Sequence, residues 1–217
     1  MTSVQAVTLE VPDPIAAERF CAAAFGLGSE LRFRATEEPS AGFRGFTLSL
    51  VVSQPATVQA LIGTALEAGA TAVKPVKKSF WGYGGVVQAP DGTLWKVATS
   101  SKKDQGPATW QIDDTVLLLG VTDVAASKRF YVDRGLPVAR SFGRKYVEFA
   151  TSPIKLALYG RRALAKDAGV DPEGSGSHRI IIAGDAGAFS DPDGFAWEAA
   201  AVVNACAGAP AAALTTA

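Results

Sequence analysis

One turn motif occurs twice in the chain, and it constrains the fold more than any other feature. Residues 90–97 read PDGTLWKV and residues 192–199 read PDGFAWEA. Proline restricts φ, aspartate can bond to its own backbone and glycine accepts a positive φ, so each copy predicts a tight turn that leads into a strand. The aligned copies differ in charge, because Lys96 stands where Glu198 stands.

A strand-and-helix pattern precedes each copy of the turn. An aspartate follows an alternating apolar strand in both halves, at Asp13 and Asp123, and an aromatic residue comes seven positions later, at Phe20 and Phe130. Aspartate in this position accepts hydrogen bonds from the first N–H groups of a helix. The repeated order of elements indicates two copies of one unit.

The repeat divides the chain into two predicted domains. We place the first at 1–100 and the second at 110–200, joined by a polar, turn-rich linker at 101–109. We expect the Ala-rich tail at 201–217 to be a frayed helix or disordered, without a role.

The two copies are abridged in different places. The first copy keeps a second helix, at about 55–68. The second copy has a hairpin at 144–159, a short helix at 161–168, and too few residues between its strand at 178–183 and Asp191 for another helix. The copies therefore complete one another within one chain or across a homodimer, and both alternatives stay open.

Composition limits the classes of partner. Lysine plus arginine and aspartate plus glutamate both number 21, so the formal net charge is zero and we expect neither a nucleic-acid-binding nor a membrane-binding surface. No apolar run reaches the roughly 18 residues of a membrane span, and the N-terminus lacks the pattern of a secretory signal, which favours a cytoplasmic protein. Cys21 and Cys206 are far apart and predict no thiolate metal site.

These elements together resemble the vicinal oxygen chelate superfamily, which includes glyoxalase I, bleomycin-resistance proteins and extradiol dioxygenases. The resemblance rests on a strand ending in Val-x-Asp, a helix with an aromatic residue, a later strand of the same type and the closing strand with Trp197-Glu198, and it covers nearly the whole chain. It implies an α+β fold of tandem βαβββ modules, in which curved mixed sheets carry helices on their convex faces.

The resemblance also implies where a metal ion would bind. Enzymes of this superfamily carry metal ligands at the start of two equivalent strands and on the closing strand. Those positions are Ala6, Thr47 and Lys96 in the first copy and Val116, His178 and Glu198 in the second. The first set predicts no metal. The second set contains two suitable ligands, His178 and Glu198, although such sites usually have three.

Strand alternation predicts which side chains share a cavity with these positions, because residues i and i+2 face the same side of a sheet. The second copy has an apolar cavity lining with two titratable groups, formed by Val116, Leu118, His178, Ile180, Ile182, Ala196 and Glu198. The first copy has a polar lining that includes Thr47, Ser49 and Lys96. Trp95 and Trp197 have the opposite parity, which assigns them to the core.

Three aromatic residues are further candidates for ligand contact. Trp81 and Tyr83 lie in a glycine-rich stretch and are placed to stack on a planar group, although a loop covering a sheet edge explains them equally well. Tyr159 has the same parity as Ala157, which directs its hydroxyl towards the cavity; a surface position is the alternative.

The leading functional hypothesis is a small-molecule binder, similar to bleomycin-resistance proteins, that holds an organic, aromatic or antibiotic-like compound in the second cavity without a complete metal site. One alternative is a lyase or isomerase that uses His178 and Glu198, with or without a divalent ion. An interaction module without a ligand is a further alternative, favoured if side chains fill the cavities. We expect no resident cofactor, and the sequence does not name the ligand.

Overall fold

The fold is seen in a computed structural model, which describes residues 3–28, 30–80 and 82–200. The predicted Ala-rich tail lies outside these residues. The helices in the described part are α1 (Pro14–Phe25), α2 (Pro55–Glu67), α3 (Val124–Asp133) and α4 (Arg161–Ala168). The strands are β1 (Ser3–Val11), β2 (Leu31–Ala35), β3 (Ser40–Gly42), β4 (Phe46–Val51), β5 (Thr71–Ser79), β6 (Gly82–Gln88), β7 (Leu94–Thr99), β8 (Asp114–Val121), β9 (Val138–Phe142), β10 (Tyr146–Phe149), β11 (Ser152–Gly160), β12 (Gly174–Gly176), β13 (Ile180–Gly184), β14 (Phe189–Ser190) and β15 (Ala196–Ala199). None of these helices is long and apolar enough to span a membrane.

The larger set of paired strands has the order β5-β6-β7-β4-β8-β11-β10-β9. Its centre is the antiparallel pair of β4, from the first half of the chain, and β8, from the second. On either side β4 pairs with β7 and β8 pairs with β11, both in parallel. This arrangement is an approximate two-fold repeat, and we call it the larger sheet.

The smaller set has the order β2-β1-β13-β15-β14, and we call it the smaller sheet. Its central pair, β1 and β13, is antiparallel and again combines the two halves of the chain. A short parallel bridge from Ser3 and Val4 to β11 joins it to the larger sheet. The abridged copies thus complete one another within one chain. Residues 101–109 connect β7 to β8 without a helix or strand, and the domain division placed there stays a prediction.

The first three helices cover one face of the sheets and enclose the main core. Trp95 and Trp197 are both buried in it, as their strand parity predicts. The carboxylate of Asp13 accepts the N–H of Ala16 at 3.0 Å, and that of Asp123 accepts the N–H of Ala125 at 2.8 Å. Both predicted helix caps are therefore confirmed.

Helix α4 lies on the opposite face. Its side chains Leu164, Ala165 and Ala168 are buried in a separate apolar cluster with Phe43 and Leu94. Side chains on this face of the larger sheet alternate with those of the main core, so α4 covers part of the concave surface that the sequence pattern leaves open. Nothing in the sequence pattern located this contact.

Candidate functional site

A row of side chains, buried at its centre, crosses the concave face of the larger sheet beside α4. Strand register places Ser49 of β4 beside Lys96 of β7 on one side and beside Val116 of β8 on the other, and Val116 in turn is beside Lys155 of β11. Cross-strand neighbours share one face of a sheet. Lys96 therefore lies directly beside Ser49, and Lys155 lies one strand further away on the other side, beyond Val116.

The Ser49 hydroxyl is the most unusual group in this row. The side chain is only 6% exposed, and its Oγ has no hydrogen-bond partner among the described residues. A buried hydroxyl without a partner costs about 1–3 kcal/mol, so such groups normally find one. A small molecule reaches this hydroxyl only after the side chains that cover it move aside, since the Oγ atom is buried.

Each flanking lysine has a carboxylate partner. Lys96 Nζ lies 2.5 Å from Asp167 of α4, and Lys155 Nζ lies 2.7 Å from Asp114 at the start of β8. All four side chains are about one-third exposed, between 33% and 37%. Exposed ion pairs contribute little to stability, about 0–1 kcal/mol, so either lysine can exchange its partner for an anionic group of a ligand at small cost.

Helix α4 borders the row on one side. Its last turn is held to the sheet by Lys74, whose Nζ donates to the Asp167 carbonyl at 2.7 Å. Between α4 and β6 lies a cavity of about 140 Å³, whose lining includes Lys74, Lys77, Gly84, Val86, Lys96 and Asp167. Lys96 belongs both to the row and to the lining of this cavity.

The other border of the concave face is aromatic. Tyr146 and Glu148 of β10 pair with Tyr159 and Ala157 of β11, which puts all four on this face. The Tyr146 hydroxyl donates to Glu148 at 2.9 Å. Burial, and secondarily the Glu148 carboxylate, raise the pKa of Tyr146, so this phenol stays protonated at neutral pH.

Three predicted ligand contacts lie on this same face. Val116, Leu118 and Tyr159 point to the concave side of the larger sheet, as their parity predicts. Leu118 and Tyr159 pack against the apolar cluster of α4, whereas Val116 belongs to the row beside it. Val116 and Leu118 have neighbours on β4, from the first half of the chain, which the expected lining from the second copy alone did not include.

His178 lies elsewhere and has a different role. Its Nδ1 is 2.5 Å from the carbonyl oxygen of Arg44, its Nε2 is 3.0 Å from that of Asp193, and its ring stacks on Phe195 at 4.1 Å. Gly45, with φ of +86°, brings the backbone close to the ring, since a Cβ there would lie 3.2 Å from Nδ1. Both ring nitrogens thus contact backbone carbonyls, and His178 joins two loops.

Glu198 lies on the smaller sheet. Glu198 pairs with Ala183, and Ala183 pairs with Ala6 of β1. The Glu198 side chain therefore lies on the same face of the smaller sheet as Ala6, whereas Val116 lies on the larger sheet. Because His178 is committed to two carbonyls, the predicted His178 and Glu198 pair does not assemble as a catalytic or metal-binding pair. No group of three His, Cys, Asp or Glu residues that could hold a metal ion occurs in the described ranges.

The predicted position of Ile180 is wrong. Ile180 is 2% exposed in the main core, where it pairs with Leu9 on the helix-covered face. Arg179 has a φ of +54°, which interrupts the strand between His178 and Ile180. The regular alternation of side chains therefore begins only at Ile180. Counting i and i+2 from His178 assigns Ile180 to the wrong face of the sheet.

The glycine-rich aromatic stretch also differs from expectation. The Tyr83 hydroxyl accepts a hydrogen bond from Gln59 of α2 at 2.7 Å, so its side chain lies on the helix-covered face and does not stack on a ligand in the concave face. Trp81 lies outside the described residues.

The sequence patterns alone did not bring together Ser49, Lys96, Asp114 and Lys155, the polar and charged residues in and beside the concave row. Ser49 and Lys96 belong to the polar lining of the first copy, and Asp114 and Lys155 have the parity of Val116 and Ala157. Alternation alone could have assigned each of them to the concave side. Only the pairing of β4 with β8 brings them together, and that pairing joins residues that are far apart in the sequence.

The residues at the metal positions of the superfamily do not fit a divalent ion in the larger sheet. Lys96 brings an ammonium group to the closing strand, Val116 offers no donor, and a second ammonium group follows at Lys155. Positive charges of this kind oppose the binding of a cation. In the smaller sheet Glu10 is engaged with Arg34 at 2.7 Å, and Ala6 has no ligand atom.

Comparisons with known proteins agree with this fold. No family model matches the sequence, and no curated protein matches it. Glyoxalase I from Zea mays superposes with a TM-score of 0.57 at 13% identity over 91% of each chain. A mutant of the same enzyme gives a TM-score of 0.58 over 90% of this chain and 92% of that one, also at 13% identity.

A further solved structure matches somewhat less than half of the chain. It is a glyoxalase/bleomycin resistance protein/dioxygenase family enzyme from Burkholderia phytofirmans, 20% identical, with a TM-score of 0.41 over 45% of this chain and 98% of that one. The two matches to the maize enzyme show that the chain shares the fold of glyoxalase I, and the sheets and helices described above confirm the predicted α+β class.

Proposed function

We propose that this protein binds a small organic molecule on the concave face of the larger sheet, beside α4, without a resident metal ion. The observation that carries the proposal is the buried, unpartnered hydroxyl of Ser49 between Lys96 and Lys155. A pocket for a small molecule needs an apolar floor with a few polar groups that fix its orientation. Val116 and Ala157, which are 9% and 0% exposed, supply an apolar floor when a ligand displaces the side chains that cover them.

The charges support a ligand with an acidic or oxygen-rich group. Strands lie about 4.8 Å apart, so the backbone positions of Lys96 and Lys155, three strand spacings apart, are separated by about 14 Å. Their long side chains can reach towards Ser49 from both sides. A carboxylate at Ser49 would gain two ammonium neighbours, while the apolar or aromatic part of the ligand would lie towards Tyr159.

The enzymatic alternative has less support. A lyase or isomerase that uses His178 and Glu198 needs a ring nitrogen that is free to exchange protons with a substrate, and both nitrogens of His178 contact carbonyl oxygens. Glu198 also lies beside Ala183, five residues from His178 along the chain, rather than beside His178. Binding is therefore the function that we favour.

We also propose a cytoplasmic location. Cys21 is a free, buried thiol whose pKa is raised to about 12 by burial and, secondarily, by Asp91. A thiol of this kind is unreactive, and the few cysteines suit a reducing compartment.

A library of small organic acids and planar aromatic compounds tests the function. Compounds that raise the melting temperature of the wild type are then titrated calorimetrically into Ser49→Ala, Lys96→Gln and the control Glu198→Gln. Loss of one hydrogen bond is worth about 1 kcal/mol, so we expect about fivefold weaker binding to Ser49→Ala. Glu198→Gln should bind like the wild type. Ligands whose affinity changes only in the Glu198 variant would place the site on the smaller sheet and contradict the proposal.

A further inference from the structure

A basic and aromatic surface lies at one end of the larger sheet, away from the concave row. It consists of the exposed side chains Lys77, Lys78 and Phe80 at the tip of the β5–β6 hairpin and Lys102 and Lys103 in the turn that follows β7. We call these five residues the basic tip. β5 is an edge strand, so the tip borders solvent.

The zero net charge of the chain conceals this local excess. Residues 71–103 contain six lysines and a single acidic residue, Asp91. Asp91 lies in the turn between β6 and β7, at the opposite end of β6 from the tip. Of the six lysines, Lys74 and Lys96 are engaged with α4, which leaves the four lysines of the basic tip.

Backbone contacts hold the two parts of the tip together. A Cβ on Gly82 would lie 2.0 Å from the Thr99 carbonyl oxygen, so only glycine allows the hairpin to approach the turn this closely. Register pairs Lys77 with Gly84 and Lys78 with Tyr83, which directs the two lysines to opposite faces of the hairpin. Positive charge therefore surrounds the apex on both sides.

The apex itself is apolar. Phe80 is 80% exposed, and the Lys102 ammonium lies 5.8 Å from the centre of its ring. The closest acidic residue in sequence, Asp104, has its carboxylate directed to the N–H of Ala56 at 2.6 Å, where it serves the start of α2. Ammonium groups around an exposed aromatic ring match the interface of a bilayer, where aromatic rings lie among phosphate headgroups.

We propose that the basic tip binds the surface of a membrane that contains anionic lipids, with Phe80 in the interfacial region and the four lysines at the headgroups. Single-stranded nucleic acid fits the surface less well, because its binding sites line a groove with successive stacking platforms. The proposal departs from the expectation of no membrane contact, which rested on the net charge of the whole chain. It requires no ligand at the concave face, although one residue of the basic tip, Lys77, also lines the cavity beside Lys96.

Sedimentation with extruded vesicles tests the proposal. The full chain is mixed with vesicles of phosphatidylcholine containing about 30% phosphatidylserine, and with vesicles of phosphatidylcholine alone. Each lysine near an anionic surface contributes about a fivefold change in partitioning, so Lys77→Ala combined with Lys78→Ala should weaken binding about 25-fold. The control combines Arg129→Ala with Lys145→Ala, which removes two exposed cations elsewhere and should change binding less than twofold.

Two further variants separate the roles of charge and ring. Lys77→Arg with Lys78→Arg should bind anionic vesicles like the wild type, and Phe80→Ser should weaken binding to them while melting at the wild-type temperature, because the ring is exposed. Equal binding to both vesicle types, no binding at about 0.05 M salt, or equal losses in the control variant would overturn the proposal. Binding of a labelled single-stranded oligonucleotide without binding of vesicles would also overturn it.

Discussion

We infer that His178 stabilises the fold by joining the loops that contain Arg44 and Asp193, and this structural role can be tested by removing its ring. In His178→Ala the carbonyl oxygens of Arg44 and Asp193 lose their ring contacts, and Phe195 loses its stacking partner. Loss of the polar contacts costs about 1–3 kcal/mol and loss of the stacked pair about 0.5–1.5 kcal/mol. We therefore expect a loss of about 3 kcal/mol in the free energy of unfolding.

This loss is large enough to measure by two methods. For a chain of this length each kcal/mol lowers the melting temperature by about 2–4 °C, so His178→Ala should melt about 6–12 °C below the wild type. Urea unfolding should show a lower midpoint with an unchanged slope, because the surface exposed on unfolding stays nearly the same. Glu198→Gln, a partly exposed change on the smaller sheet, is the control and should leave both values within error.

The competing hypothesis makes the opposite prediction. If His178 served as a metal ligand or catalytic base, its removal would leave the stability of the metal-free protein nearly unchanged. It would also abolish any rise in melting temperature on addition of Zn²⁺, Mn²⁺, Ni²⁺ or Fe²⁺. An unchanged urea midpoint in His178→Ala, together with a metal-dependent stabilisation seen only in the wild type, would refute the structural role of His178.

Three other perturbations test the packing around the site. Leu164→Ala should lower the free energy of unfolding by about 3 kcal/mol, measured by urea titration, because it opens a cavity beneath α4; a loss below about 1 kcal/mol would mean that α4 is loosely held. Tyr131→Phe removes a 2.7 Å hydrogen bond to the buried Asp191, whose pKa is raised by burial and lowered by that bond. Ionised Asp191 opposes folding as pH rises above about 4, so the destabilisation by Tyr131→Phe should be larger at neutral pH than at about pH 4. The N–H groups of Ala126 and Ala125 lower the pKa of Asp123, so the stabilisation by this cap should be lost as pH falls below about 4, and Asp123→Ala should show a lower melting temperature only above that pH.

Several parts of the fold follow from short stretches of sequence. The caps at Asp13 and Asp123 and the helix at 161–168 are present as predicted. Each depends on residues within a few positions of one another, whose hydrogen bonds and φ preferences need no distant partner. The burial of Trp95 and Trp197 follows in the same way, because parity within a single strand decides it.

The candidate site depends on two contacts that local patterns do not encode. Pairing of β4 with β8 places Ser49 and Lys96 beside Val116, and α4 packs on the concave face with Leu164 as its buried anchor. An amphipathic helix shows that it has an apolar side but does not show which surface will cover it. The backbone conformation of one residue also mattered. The positive φ of Arg179 places Ile180 in the core, on the opposite face from the one that was predicted.

Local sequence patterns specify that the chain repeats a strand, helix and turn, and which residues of each strand share a side. Long-range packing sets which strands pair, and it replaced the expected pair of His178 and Glu198 with the row around Ser49. Hydrophobic burial favours any partner with a complementary apolar face, whatever its distance along the chain. Which polar residues then gather on the opposite face follows from that choice of partner.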